Sequence, residues 1–362
     1  MIVKKNKSIM NRTEQNRTER NSWLELLRII SMLFIVMNHY SGEEPWKFDT
    51  AAILGQLVSY QIYRPLGQVG VDIFVLITGY FMAGKIDVTY GASVKRALKV
   101  WLEVWVYSVL LFVVGSLCFG TFSLSGALKG FFPVIFNNYW FVTAYIMLVL
   151  LIPFINRILT QINQKQYVVL LVLSIFFAEC LPVVNNTIFS WDKGFGDLLA
   201  VYLLGGYIKK YGLRIKQGYL VLIFLVTYTL MLSSIVVLGL VLGTDGNITR
   251  LAYGFLPYVA AAAIFLIFES LPAFSNKFIN YVAGSVFASY LLTENSNVVA
   301  TIWKVFDMTG VSNLFVVVVA GIFISLLLIV ITVIIDKIRI AVFNLLKVKQ
   351  RVFALVDKFS AK

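Results

Sequence analysis

Long stretches in which nearly every position is hydrophobic dominate the chain. A helix needs about 20 apolar residues to cross the hydrocarbon core of a bilayer, and several stretches approach or exceed that length. Short polar or basic segments separate them. The pattern predicts an all-α polytopic membrane bundle of about ten transmembrane helices. The predicted spans lie near 24–40, 67–84, 98–119, 139–156, 167–184, 195–211, 219–243, 251–271, 280–303 and 313–336.

The composition supports this membrane class. Hydrophobic residues make up 59% of the 362 residues, charged residues make up 14%, and the mean hydropathy is +0.84. An ordinary soluble domain, with about 25% charged residues, is therefore excluded. Cys118 and Cys180 lie in apolar stretches and are expected to be free thiols, because two such residues do not make a disulfide framework. We expect a multi-pass protein of the cell membrane, surrounded by the lipid bilayer.

Most Lys and Arg residues fall on one side of the predicted bundle. If the chain starts inside, they concentrate in the N-terminal segment, in alternate loops and in the C-terminal segment. Cytoplasmic loops carry such an excess, so both termini are predicted to be cytoplasmic. Membrane orientation thus accounts for the net charge of +13, and no nucleic acid is expected as a partner. The basic residues expected outside are Lys47, Arg64, Lys129, Lys193, Arg250 and Lys304.

Three segments follow from this pattern. Residues 1–22 are basic and poor in apolar residues, which predicts a disordered cytoplasmic tail rather than a signal peptide. Residues 23–336 form the predicted transmembrane domain. Residues 337–362 alternate basic and apolar positions with rough helical spacing, which predicts an amphipathic cytoplasmic tail on the inner membrane surface.

The first predicted span combines three polar residues in an apolar stretch. Glu25, Arg28 and His39 occur in ELLRIISMLFIVMNH, and His39 is the only histidine of the chain. At about 100° per residue, the steps from Arg28 to His39 make about three turns plus roughly 20°, so both lie on one helix face, about 16 Å apart. Glu25, three residues before Arg28, is expected to pair with it. His39 is either a polar contact between helices or a catalytic base.

Asp72 and Glu294 are the other candidates, because charges inside a bilayer usually face the interior of the bundle. Asp72 lies at a predicted depth similar to that of His39, where it would fix the tautomer of the imidazole and raise its basicity. A structural role for Asp72 is the alternative. Glu294 lies in a polar group with Tyr290, Thr293 and Asn295, which is either a contact between helices or part of a site. Gly67, Gly70 and Gly79 predict close packing of the second span on its neighbours.

These residues and their order resemble the integral-membrane acyltransferase 3 family. Arg28 and His39 match its Arg-x10-His signature, and ELLR matches its acidic-x-x-Arg start, with Glu25 where Asp is usual. GVDIFVLITGYFM resembles the family segment GVDLFFVLSGYL and places Asp72 on the family's acidic position. The resemblance covers nearly the whole chain. Further similar stretches are NYWFVTAYIMLVLLIPFIN, DLLAVYLLGGYIKKYG and FASYLLTENS.

A cytoplasmic Arg-x-x-Arg element of the family is also matched, but with one difference. It corresponds to VKRALKVW, where Arg96 is followed by Lys99. Lysine keeps the charge but lacks the bidentate geometry of arginine. A second difference concerns the late span, which in relatives often ends Tyr-Leu-x-His, whereas here Thr293 occupies the histidine position.

The resemblance implies transfer of an acyl group, usually acetyl from acetyl-CoA, to a hydroxyl of a surface glycan or its lipid-linked precursor. His39 is then the expected general base, oriented by Asp72. Arg28, held by Glu25, would neutralise the phosphates of the acyl-CoA donor together with Arg96 and Lys99. Glu294 is a further candidate for substrate binding. No permanently bound cofactor and no metal are expected.

A transporter or flippase of glycan intermediates, or of another small molecule, is the alternative function, because buried charges in many spans also suit that class. Broken helices or an internal repeat would favour it. A purely structural assembly subunit is disfavoured by the aligned charges of the first span. Association into a homo-oligomer, or with proteins of glycan assembly, stays open.

Overall fold

The computed structural model describes residues 21–184, 194–244 and 247–360, and the predicted tail before residue 21 lies outside them. The described residues form helices and no β-strand. The helices are α1 Ser22–Glu43, α2 Ile53–Gln61, α3 Arg64–Met82, α4 Tyr90–Cys118, α5 Leu124–Phe131, α6 Trp140–Gln161, α7 Gln164–Ile175, a π-turn Phe176–Cys180, α8 Leu181–Val184, α9 Phe195–Tyr211, α10 Gln217–Leu242, α11 Leu256–Glu269, α12 Lys277–Ala283, α13 Phe287–Thr293, α14 Val299–Val305, α15 Leu314–Leu345 and α16 Val348–Ser360.

Helix α3 is the centre of the bundle, packed against α1, α9 and α11. Glycines permit the close approach, as the sequence predicts. A Cβ atom at Gly70 would overlap the backbone carbonyl of Ser31 in α1, and one at Gly79 would overlap the backbone of Tyr202 in α9. Because lipid tails are as apolar as the helices, such backbone contact replaces the hydrophobic effect as the source of packing energy. The almost fully buried face of α3 follows from this arrangement.

Six helical stretches are long and apolar enough to cross a membrane, judged over the described residues. They are Ser22–Glu43, Ile53–Met82, Tyr90–Cys118, Trp140–Gln161, Gln217–Leu242 and Leu314–Leu345. The predicted spans at 195–211 and 251–271 appear as the shorter helices α9 and α11. The predicted span at 167–184 is helical but passes through the π-turn. The predicted number of ten is therefore not confirmed by helix length and composition.

The prediction of one continuous span over 280–303 is wrong. The chain forms three short helices there, α12, α13 and α14, separated at Gly284 and at the polar run Asn295–Asn297. The side chain of Asn295 accepts a hydrogen bond from the backbone N–H of Asn297, a local bond that competes with helix continuation. The break leaves Glu294 at the C-cap of α13 instead of inside a helix.

Helices α4 and α15 are joined by an ionic contact at the end of the bundle that holds Arg28. Arg339 pairs with Glu103 at 3.2 Å and with Asp336 at 2.7 Å, and Asp336 also accepts from the hydroxyl of Tyr107. Helix α15 continues past residue 336 to Leu345, so the predicted boundary of the C-terminal segment falls inside a helix. Helix α16 then returns to α4, where Asp357 pairs with Lys95.

The glycine contacts of α3 make a stability prediction. We expect G70A and G79A each to lower the free energy of unfolding by about 1–3 kcal/mol, because the added methyl group meets backbone atoms that cannot rotate away. Thermal unfolding of the detergent-solubilised protein measures the effect. G218A is the matched control, since a Cβ atom at Gly218 meets nothing within 4 Å. Equal melting temperatures for all three variants would contradict the packing role.

Candidate active site

Helix α1 carries the first part of the candidate site without interruption. The side chain of Asn21 caps the helix by accepting a hydrogen bond from the backbone N–H of Trp23. Arg28 and Glu25 form the predicted ion pair, with Nη1 and Oε1 2.5 Å apart. Because the helix continues to Glu43, His39 lies on the same face about 16 Å further along the axis. We call the two ends of the bundle the Arg28 end and the His39 end.

Both ring nitrogens of His39 contact residues at the C-terminus of α13. Nδ1 lies 2.8 Å from the hydroxyl oxygen of Thr293, and Nε2 lies 3.0 Å from a carboxylate oxygen of Glu294. The Thr293 hydroxyl donates its own proton to the carbonyl of Ser289 at 2.8 Å. A hydroxyl has one proton, so Thr293 can only accept from the imidazole, and the network assigns the Nδ1 proton to His39. Thr293 therefore holds the tautomer that leaves Nε2 as the basic nitrogen.

The contact of Nε2 with Glu294 requires one shared proton. In the tautomer set by Thr293, the lone pair of Nε2 faces a carboxylate oxygen, and two acceptors at 3.0 Å repel unless a proton lies between them. Glu294 is the C-cap residue of α13, where the helix dipole disfavours a negative charge. An imidazolium beside it offsets that cost. His39 and Glu294 thus form a pair that can take up and release a proton.

The two ring nitrogens of His39 contact Thr293 and Glu294, so the predicted pairing of His39 with Asp72 is not confirmed. Asp72 is fully buried in α3, and one of its carboxylate oxygens accepts from the side-chain amide of Gln68 at 2.8 Å. The same amide donates to Asp197 of α9 at 3.1 Å. The hydroxyl of Tyr258 lies within hydrogen-bond distance of both Asp197 and Glu179 and can donate its one proton to either carboxylate. Asp72 therefore belongs to a buried acidic network across α3, α9 and α11, and Gln68 connects that network to the site.

A cavity of about 410 Å³ opens beside His39 and Glu294. The side chain of Glu294 is 26% exposed to it, whereas that of His39 is 10% exposed. Its size is within the range of small-molecule sites. We call it the His39 cavity. Its lining comprises Ile35, Asn38, His39, Glu43, Arg64, Gly67, Gln68, Val71, Asn137, Trp140, Tyr253, Tyr290 and Glu294.

Two further polar groups of this cavity were not singled out as site residues from the sequence. The hydroxyl of Tyr290 is buried and makes no hydrogen bond of normal geometry, although the backbone of Phe141 lies near, and the Tyr290 ring centroid lies 6.1 Å from that of His39. Arg64 at the start of α3 places its guanidinium 5.9 Å from the centre of the Tyr253 ring. The sequence shows the charge of Arg64 and its position before Pro65, but no sequence pattern indicates that Arg64 lines a cavity.

The predicted donor-binding cations do not line the His39 cavity. Arg28 is partly exposed at the opposite end of α1. Arg96 and Lys99 both lie on α4, where Arg96 is half-buried and Lys99 is exposed. Arg96 lies close enough to Tyr202 of α9 to affect it electrostatically, and its Nη1 atom is buried without a hydrogen bond. Lys99 is exposed near Glu103. The structure thus separates these cations around the Arg28 end.

A separate, basic cavity lies at the Arg28 end, between α3, α6, α7 and α9. Its volume is about 340 Å³, and Lys209 and Lys210 line it. Lys210 donates to the carbonyl of Leu159 at 3.1 Å, while Lys209 lies 4.5 Å from the centre of the Tyr80 ring. The sequence shows these lysines only as part of the basic bias of one side. Their convergence on a cavity depends on how α9 packs.

Comparison with known proteins bears on this geometry. The acyltransferase 3 model, described as an acyltransferase domain, matches residues 21–334. The chain is also 28% identical over 182 residues to a protein of Enterococcus faecalis named amino-acid racemase, which is 48% of this chain and 23% of that protein. The chain thus spans less than a quarter of the length of that curated relative. No solved structure matches the chain.

The tautomer of His39 can be measured directly, because a chain with one histidine gives a single set of imidazole signals. We expect solid-state NMR of the ¹⁵N-histidine-labelled protein, purified without a histidine tag, to show a proton on Nδ1. T293V removes the acceptor and keeps the side-chain shape, so the proton should shift toward Nε2. T229V, on the exposed side of α10, should change nothing. A wild-type spectrum with the proton on Nε2 alone would refute the assignment.

Proposed function

We propose a reaction from the premise that this chain belongs to the acyltransferase 3 family, whose model spans residues 21–334. In this proposal the protein is a membrane-embedded O-acyltransferase. It moves an acyl group, proposed to be acetyl, from acyl-CoA to a hydroxyl of a surface glycan or its lipid-linked precursor. The observation that carries this proposal is the His39–Glu294 pair, which can hold a proton beside a cavity. Acyl transfer to a hydroxyl requires such a proton acceptor.

The proposed step is direct transfer. The acceptor hydroxyl enters the His39 cavity and attacks the thioester carbonyl carbon, so that a new C–O bond forms and the C–S bond breaks. The His39–Glu294 pair first gives its shared proton to solvent, so that Nε2 can take the hydroxyl proton, which then passes to the departing CoA thiolate. Thr293 supports this cycle by holding Nδ1–H, which keeps Nε2 available for the proton. An acyl-imidazole intermediate on Nε2 is the two-step variant of the same chemistry.

Tyr290 is the proposed donor to the negative charge that develops on the carbonyl oxygen. Tyr290 lines the cavity with the reacting pair, and its buried hydroxyl donates no hydrogen bond within the protein. A buried hydroxyl that is left without a partner costs free energy, so its retention at this place favours a ligand that accepts from it. A preorganised donor of this kind stabilises a tetrahedral intermediate without reorganisation.

The donor is proposed to bind from the Arg28 end. Most Lys and Arg residues of the sequence fall on the side predicted to hold Arg28, and this bias favours a cytoplasmic position for the Arg28 end, where acyl-CoA is made. Arg28, Arg96 and Lys99 are spread around this end, and the cavity of Lys209 and Lys210 offers further positive charge. Phosphate groups are well matched to such cations. The acyl end must then reach His39, about 16 Å away along α1.

A transporter remains a second candidate function because one observation favours it. The chain between 277 and 305 is a broken helix with a charged residue at the break, as in many secondary transporters. Both functions can be tested in proteoliposomes loaded with radiolabelled acetyl-CoA and supplied with fragments of the surface polysaccharide of the producing cell. Label on the glycan supports the acyltransferase. Passage of glycan or small molecules without acyl transfer supports the carrier.

In this assay we expect H39A to lower the rate of acyl transfer by about 10²–10⁴-fold, the usual contribution of a general base. E294Q should also lower it, because the amide cannot share the proton of Nε2. D87N, a matched loss of charge at an exposed position, should keep the wild-type rate. Full activity of folded H39A would remove His39 from the mechanism.

Y290F tests the proposed oxyanion donor separately. We expect kcat to fall by about 10²-fold, the lower range for loss of one such hydrogen bond, while KM for both substrates changes little. The melting temperature should not fall, because the hydroxyl makes no hydrogen bond of normal geometry that the variant would lose. Y219F, in an exposed position of α10, is the control. If Y290F keeps the wild-type kcat, Tyr290 is not the group that stabilises the oxyanion.

A further inference from the structure

A second cavity adjoins the His39 cavity on the other side of the last turn of α1. Its volume is about 400 Å³, and Arg64 lines both cavities. The end of α1 contributes residues to both cavities. Asn38, His39 and Glu43 line the His39 cavity, whereas Ser41, Gly42 and Glu44 line the second cavity. Its lining comprises Ser41, Gly42, Glu44, Pro45, Trp46, Phe48, Gln61, Arg64, Thr244, Asn247, Ile248 and Thr249.

Several buried polar groups of this second cavity lack partners. Ser41 is 1% exposed and its hydroxyl makes no hydrogen bond. Glu44 is 4% exposed and neither carboxylate oxygen accepts a hydrogen bond of normal geometry, although the backbone of Met308 lies near. The Nε atom of Arg64 is also buried without an acceptor. Burying such groups unpaired is costly, so their convergence on one cavity indicates a polar ligand.

The charges of the residues that line the second cavity favour some classes of ligand over others. Glu44 opposes an anion and Arg64 opposes a cation, so a small ion of either sign meets a like charge in the cavity. A neutral polyhydroxyl compound suits both residues, because each hydroxyl can donate to the carboxylate and accept from the guanidinium. Burial and the nearby Asp307 raise the pKa of Glu44 to about 7, so near neutral pH its carboxyl can donate as well as accept.

Trp46 and Arg64 shape the cavity for an extended ligand. The ring of Trp46 stacks on Tyr60 with centroids 4.3 Å apart, which holds it rigidly in the wall. Arg64 reaches over Gly42, where any side chain would overlap its guanidinium. Glycine therefore allows one arginine to lie between the two cavities and to contact ligands in both. A chain of linked units passing Arg64 would occupy the two cavities together.

We propose that the second cavity is a sugar subsite, so that the acceptor is a glycan of at least two linked residues. One residue presents its hydroxyl to His39, and the neighbouring residue is held by Ser41, Glu44 and Arg64. This inference rests on the proposed function for the reaction itself, but the binding of a glycan does not depend on acyl transfer. It narrows the acceptor from a free sugar to an oligomer.

The test is direct binding of glycan fragments to the full-length protein in nanodiscs. Fragments of one, two and three sugars are prepared by partial acid hydrolysis of the surface polysaccharide of the producing cell, and Kd is measured by isothermal titration calorimetry. We expect the two-sugar fragment to bind at least about tenfold more tightly than the single sugar, the change given by one or two well-placed hydrogen bonds. The third sugar should add less.

E44Q and S41A are expected to remove most of this tenfold gain, whereas D49N, an equal charge change on the exposed loop nearby, should retain it. Neither side chain makes a hydrogen bond of normal geometry in the protein, so both variants should melt at or above the wild-type temperature. The proposal is overturned if wild-type affinity does not depend on fragment length, as for a cavity that holds only water, or if both variants keep the gain.

H39A separates this proposal from the proposed reaction. If wild type and H39A bind two sugars equally well and wild type transfers no acyl group, the sugar subsite stands and the acyltransferase reaction fails. If wild type transfers acyl groups to single sugars as well as to longer fragments, and binding shows no length dependence, the reaction stands and the subsite fails.

Discussion

The contact between the backbones of α1 and α3 is the constraint on which the site depends. Gly70 lets α3 approach the carbonyl of Ser31, and Gly67 lets it approach the side chain of Asn38. Asn38 then donates to the carbonyl of Arg64, which fixes the end of α3 against the end of α1. Both cavities lie around these two helix ends. Without the close approach there would be no common wall for His39 and Arg64.

A second constraint is the end of helix α13 at Thr293, beside the proposed reacting groups. A continuous helix over 280–303 would make Glu294 one more helical residue, with no reason to meet His39. The termination of α13 after Thr293 places consecutive side chains on opposite nitrogens of one imidazole. Irregular backbone in a membrane bundle is tolerated where protein or a cavity satisfies it, and here the polar side chains of Asn295 and Tyr139 do so.

The polar groups of the bundle divide into structural and reactive sets according to their partners. The Glu103–Arg339–Asp336 contact and the network of Asp72, Asp197 and Tyr258 join helices to one another through hydrogen bonds and ion pairs within the protein. Tyr290, Ser41 and Glu44 are buried without hydrogen bonds, and all three line cavities. In a medium of low dielectric constant this difference is large in energy. Position beside a cavity, together with the missing hydrogen bond, makes these three groups the candidates for ligand binding.

Sequence alone sufficed for the membrane class, the family, the shared face of Arg28 and His39, the Glu25–Arg28 pair and the close packing at Gly70 and Gly79. Each of these depends on local periodicity or on spacing within one segment. It did not suffice for the partner of His39, because Asp72 and Glu294 are both acids at a suitable predicted depth, and hydropathy carries no information on which helices are neighbours. The break after Thr293 and the packing of α13 against α1 selected Glu294. The sequence likewise did not indicate that Arg64, Ser41 and Glu44 line a common cavity, because that cavity forms only where separate helix ends pack together.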